Sequence, residues 1–104
     1  MIREVIYKDR DNAIDLQLSS DSGVADFTGV TKVELVDSLG DLETINSETN
    51  SSFFNMTTGN GILKLSLGLV VGLVTGKSHR FSIILYDPDN ENGVNWGQFV
   101  AVVH

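Results

Sequence analysis

Residues 77–104, KSHRFSIILYDPDNENGVNWGQFVAVVH, decide how this chain folds. Phe81, Ile83 and Leu85 alternate with Ser82, Ile84 and Tyr86. Asp87-Pro88-Asp89-Asn90-Glu91-Asn92-Gly93 follows, dense in turn formers, and then Val94, Trp96, Phe99, Ala101 and Val103. Strands send successive side chains to opposite faces, so period-two patterning on both sides of such a cluster predicts a β-hairpin. The stretch holds the one Trp, the one Pro, one of two Tyr and two of five Phe. It is expected at the centre of the core, with Trp96, Phe81 and the upstream Phe27 as aromatic anchors.

Working outward, the same alternation recurs. Residues 3–7 read as a first strand, followed by the charged turn Lys8-Asp9-Arg10-Asp11-Asn12. Ile14, Leu16 and Leu18 alternate with Asp15, Gln17 and Ser19, which predicts a half-buried strand. Residues 20–23 read as a tight turn and 24–29 as an extended piece carrying Phe27. Val33 and Leu35 alternate with Lys32 and Glu34 in a strand over 30–36. A loop over 37–41, with Gly40 near its end, returns the chain into a partner strand at 42–46. Residues 47–52 are wholly polar and read as the most flexible loop. Residues 53–56 read as a short strand or a loop that drops one Phe inward. A turn cluster at 57–61 introduces Leu63, Leu65 and Leu67, alternating with Lys64 and Ser66. In 68–76, Leu69, Val70, Leu73 and Val74 suit one or two helical turns between glycines. About seven strands with turn signals every 8 to 12 residues predict an all-β, two-sheet antiparallel sandwich, one domain over 1–104.

Composition narrows the function classes. The 104 residues suffice for one core. Cysteine is absent, so there is no disulfide framework and no thiolate chemistry. Fourteen acidic against seven basic residues give a net charge of −7, spread along the chain. Such a surface repels a phosphate backbone, so nucleic acid is not an expected partner. No signal-like leader opens the sequence, and the most apolar window, 65–75, is shorter than a bilayer span. No membrane partner is expected.

Catalytic patterns are missing. The histidines are His79 and His104, and no GxSxG, HExxH, P-loop or GxGxxG accompanies them. His79, between Ser78 and Arg80, reads as an exposed or edge-of-core side chain. No acid lies in surroundings apolar enough to raise its pKa obviously. Asp87, Asp89 and Glu91 place oxygens at alternate positions, as a calcium loop does. The glycine comes one place late and no closing Glu follows, so a polar turn is preferred and neither metal nor cofactor is expected. Trp96, Tyr86 and Tyr7 admit a sugar-stacking platform, although Trp96 reads first as core.

The order of features carries a resemblance. DRDNAIDLQL at 9–18 is followed by GVADFTGVTKVELV at 23–36, by GNGILKLSLG at 59–68, by TGKSHRFSIILYD at 75–87, and by NGVNWG at 92–97 with a valine-rich end. The chain resembles the small immunoglobulin-like β-sandwich proteins of tailed-bacteriophage virions. It is similar to the N-terminal domain of phage baseplate upper proteins and to stand-alone phage structural proteins. The likeness runs over nearly the whole chain, with Phe27 standing where Leu is commoner. It implies an immunoglobulin-like fold and a non-enzymatic building block that docks on other virion proteins, capsid or tail, as a homo-oligomer on the particle. It also implies localisation in the virion after assembly in the host bacterial cytoplasm. A single domain with no spare length suits a capsid decoration or cement protein. A tail or baseplate adaptor that anchors fibres is the alternative, and a carbohydrate-binding module is the alternative of another class. Two adjacent aromatics cannot both face inward in a regular strand. Phe53, Phe54 and Met56, in the segment 47–56, are therefore the expected partner-docking residues.

Overall fold

The computed structural model describes residues 2–20, 23–24, 27, 29–57 and 61–104. The terminal hairpin forms as expected, from β9 (Ser78–Asp87) and β10 (Asn90–Val103). Its turn is tighter than the sequence suggested. Asn90 already pairs with Asp87, leaving only Pro88 and Asp89 between the strands. Proline fixes φ for the first corner, and the Asp87 carboxylate accepts from the Asp89 N–H at 2.9 Å and from Asn90 Nδ2 at 3.0 Å. Gly93 has a φ of 83°, and a Cβ there would meet Ile84 Cγ2 at 2.5 Å. Only glycine fits that close crossing.

Around the hairpin lie β1 (Ile2–Ile6), β5 (Lys32–Asp37) and β6 (Ile45–Asn46), completing a five-stranded sheet in the order β1-β10-β9-β5-β6. A second sheet has the order β2-β8-β7, from Ile14–Gln17, Ile62–Leu65 and Phe54–Thr57. Ser19–Ser20 (β3) pairs with Gly23–Val24 (β4) in a small ribbon. The chain is all-β, consistent with a sandwich, and no described residue is α-helical. The expectation of a purely antiparallel arrangement needs correction, because β1 runs parallel to β10, with Ile2 opposite Phe99 and Ile6 opposite Val103.

The core follows the alternation. Val33 and Leu35 (β5), Phe81, Ile83 and Leu85 (β9), and Phe99, Ala101 and Val103 (β10) are buried together with Ile14, Leu16, Leu63 and Leu65 from the second sheet. Phe27 and Phe81 are buried as expected, and the Phe81 and Phe99 rings pack at 5.3 Å between centroids. Trp96 is not a central anchor. The register shifts between Asn95 and Gly97, leaving Trp96 as the extra residue of a bulge. It lies half-buried at the rim of the sandwich, beside Leu16, Leu18, Ile83 and Phe99.

Three loop expectations change. Residues 68–76 form successive turns, closed by i to i+3 bonds such as Val70 N–H to Leu67 C=O, not a helix. Glycines and β-branched valines disfavour helix there. Residues 47–52 are tied down: Asn46 Oδ1 accepts from the N–H groups of Glu48 and Thr49, and a single 3-10 turn follows at Ser51–Phe53. The return strand is shorter than 42–46, because the chain first bends over Asp37. The turns read at 20–23 and 57–61, and Asp26 and Thr28 of the DFTGV step, fall partly or wholly outside the described residues.

Candidate functional site

The parity that builds the core also buries two polar side chains. Asp37 continues the inward phase of Val33 and Leu35, and His79 precedes that of Phe81 and Ile83. Asp37 is 4% and His79 1% exposed. His79 Nδ1 lies 3.0 Å from Asp37 Oδ2. The same carboxylate accepts the N–H groups of Leu39 and Leu42, each at 3.1 Å. His79 is thus a buried, paired residue and not an exposed or edge one. Asp37 is likewise an acid in apolar surroundings that the sequence reading passed over. Its carboxylate is spent on holding the loop 38–42.

The donor set of this corner suits a metal ion poorly. Donor atoms of Asp37, Asp41 and His79 lie within 4.8 Å of one another. However, Asp37 already takes three donors, and Lys77 Nζ stands 3.0 Å from Asp41 Oδ2 as a fixed cation. Metal bound through Nδ1 would force the ring proton onto Nε2, which is buried without a partner. A buried unpaired donor is costly. The corner therefore reads as a structural latch.

Above the latch the end of the sandwich is apolar. The segment 68–76 crosses this end, and three fixed points seat it. The Gly68 C=O accepts from the Asp9 N–H at 2.7 Å, the Gly76 N–H donates to the Val103 C=O at 2.7 Å, and Gly72 sits against Leu42. Gly68 packs so tightly on the carbonyl oxygens of Tyr7 and Arg10 that no Cβ fits. Spacing by three sends Leu67, Val70 and Leu73 into the core and leaves Leu69, Val71, Gly72 and Val74 outside. Leu69 is 63%, Val71 90% and Val74 57% exposed, joined by Leu39 at 72% and Tyr7 at 51%. Charges of both signs lie close by: Asp9 bonds to Gly68, Lys77 pairs with Asp41, and Arg80 shares a depression with Leu39. An apolar patch with charged groups close by is the anatomy of a protein-docking surface.

The expected docking residues touch this surface at one point. Phe53, Phe54 and Met56 are each half-buried against the core. Phe53 shares a depression of about 140 Å³ with Ile45, Val70 and Val71. Phe54 and Met56 belong to β7, an outer strand of the second sheet.

Asp87, Asp89 and Glu91 do not come together as a cation site. Asp87 is engaged by the turn itself, and among the described residues the one converging group of three donors is that at Asp37. Nor do the aromatic residues form one platform. Trp96 lies at the rim, Tyr7 meets His104 edge-on at the apolar end, and Tyr86 donates its hydroxyl to Glu34 at 2.9 Å under Lys32. The Glu34 hydrogen bond, with partial burial and the Glu34 charge, raises the Tyr86 pKa above its ordinary value.

Comparison with known families and with curated proteins finds no match for this chain. Among the described residues, no helix is long and apolar enough to cross a membrane.

Proposed function

We propose that this protein is a non-enzymatic structural component of a tailed-phage virion, docking on other virion proteins as a capsid decoration protein. The observation that carries the docking part is the apolar end, where Leu69, Val71 and Val74 stand exposed on a segment held by backbone bonds and Leu39 stands exposed on the loop 38–42. The polar groups of Asp37 below it are spent on positioning the neighbouring loop 38–42, which favours work by interface burial over chemistry. Roughly 1,000 Å² or more of total buried surface makes a specific contact.

Strand order supports the immunoglobulin-like part of the reading. The sheets β2-β8-β7 and β10-β9-β5 follow the B-E-D and G-F-C arrangement of immunoglobulin sandwiches, with β6 beside β5 as an added strand. The particle assignment rests on the motif order that resembles phage structural proteins. Assembly then takes place in the host bacterial cytoplasm, and the absence of cysteine suits that compartment.

Co-sedimentation with shells of a major capsid protein from the same phage tests the proposal. Saturable loading, lost in Val71→Asp, is expected. A chain that stays in the supernatant with those shells and loads on purified tails instead overturns decoration in favour of an adaptor.

A further inference from the structure

We propose that Asn92 is a site of spontaneous modification, where the side-chain amide is lost and the hairpin tip gains an isoaspartate or aspartate carboxylate. Asparagine is among the thermolabile residues. Asn92-Gly93 offers the reaction its two parts, an amide carbon and a main-chain nitrogen that no Cβ shields. Hydroxide takes the proton of the Gly93 N–H, and the nitrogen attacks Cγ of Asn92. The new N–Cγ bond closes a five-membered imide, and the Cγ–Nδ2 bond breaks to release ammonia. Water then adds to the imide at one of its two carbonyls. Opening at Cγ leaves an aspartate at position 92. Opening at the α-carbonyl leaves an isoaspartate, whose main chain runs through Cβ and Cγ.

The fold leaves this step open at Asn92 and hinders it at the other described asparagines. Asn92 is exposed, and its amide makes no hydrogen bond with a described residue. The hairpin register passes from Asn90–Asp87 to Val94–Leu85, so Glu91, Asn92 and Gly93 stand where β9 has Tyr86 alone. The chain is out of the regular ladder there, and Gly93 turns it at a φ of 83°. The Asn92 side chain and the Gly93 nitrogen can therefore approach without parting paired residues. By contrast, the side-chain oxygens of Asn12, Asn46, Asn50 and Asn95 each accept a main-chain N–H, and the Asn90 amide donates to Asp87. Asn55 is held in β7 opposite Lys64. Each of these six is followed by a residue whose Cβ crowds the attacking nitrogen. The other Asn-Gly pair, Asn60-Gly61, begins outside the described residues.

The two products act differently on the tip. Either adds a negative charge to a turn that already carries Asp87, Asp89 and Glu91. Isoaspartate also lengthens the main chain by one atom immediately before Gly93. Gly93 is seated so closely that a Cβ on it would come 2.5 Å from Ile84 Cγ2 and 2.9 Å from the Tyr86 ring. A lengthened chain cannot keep that seat, so isoaspartate disturbs Tyr86 whereas aspartate leaves it in place. A long-lived copy of the chain thus differs at the tip from a fresh one. This inference does not rest on the capsid reading.

Weeks of incubation of the folded chain in warm, mildly alkaline buffer, followed by peptide mapping with mass spectrometry, test it. Asn92 is expected to gain the mass difference between an amide and a carboxyl group, at least about tenfold faster than Asn55. An isoaspartate-specific methyltransferase should label the same peptide. The rate should fall in mildly acidic buffer, where hydroxide is scarce. Asn92→Gln, whose longer side chain closes its imide far more slowly, should lose the modification and stay folded by circular dichroism. In NMR spectra the Tyr86 ring signals should be displaced in the isoaspartate fraction and stay near their original positions in Asn92→Asp. An Asn92 that converts no faster than Asn55 overturns the proposal, as does one that stays intact in the folded chain while the chain unfolded in guanidinium converts there. Isoaspartate formed with the Tyr86 signals unmoved overturns the effect assigned to it.

Discussion

The two ends of the sandwich are both turn clusters, yet they leave opposite things undone. At the hairpin tip the polar groups are satisfied close by: Asp87 closes its own turn and Gly93 clears the way for the Tyr86 ring. At the other end Asp37 satisfies the N–H groups of Leu39 and Leu42, but large apolar side chains are left outside. The tip looks functional in sequence because it is dense in acids. The far end is the more exposed in the sense that matters for binding, since Leu69, Val71 and Val74 lack the burial their chemistry favours. Polarity in a turn signals a turn, whereas apolar residues held outside on a fixed backbone are what the proposed docking rests on.

The largest effect should come from breaking the support of the apolar end. Asp37→Ala removes the acceptor of two loop N–H groups and the partner of buried His79, and should cost about 3 kcal/mol by denaturant unfolding. Partner binding should fall with it. Gly68→Ala forces a methyl group onto the Tyr7 and Arg10 carbonyls and should cost about 2 kcal/mol, again with weakened binding.

The matching change at the tip should do far less. Asp87→Ala removes hydrogen bonds that are exposed to solvent and should cost about 0.5 kcal/mol, with binding unchanged. Converting Asp87, Asp89 and Glu91 together to Asn should likewise leave partner loading intact, as measured by co-sedimentation. Loss of loading there would return the site to the tip.

The smallest expected effect is a pH dependence near the tip. The Tyr86 pKa is raised in the folded protein, so folding favours the protonated phenol. That contribution is full below the unfolded value near 10 and is lost as pH rises through the folded value. Stability should therefore decline above pH ~10, and the decline should shrink in Tyr86→Phe, measured by urea unfolding across alkaline pH.

Much of the fold was legible because period two is a local signal. Ile14 to Leu18, Val33 to Leu35, Leu63 to Leu67 and Phe81 to Leu85 all point where alternation sends them. The Asp37–His79 pair was legible too, had the inward phase been carried one step past each strand's apolar run. Trp96 was misplaced because a bulge inserts it out of phase, and no local pattern announces that. The parallel pairing of β1 joins opposite ends of the chain, so nothing nearby in sequence encodes it. The apolar end was hidden for a different reason. Val70 and Leu73 are buried at a spacing of three, which successive turns and a helix share.

Hydrogen exchange on the chain, free and bound to capsid shells, separates the two ends most directly. Docking through the apolar end predicts slowed exchange in 38–42 and 68–77 on binding, with 87–93 unchanged. Protection confined to 87–93, with 68–77 exchanging as in the free chain, would contradict it.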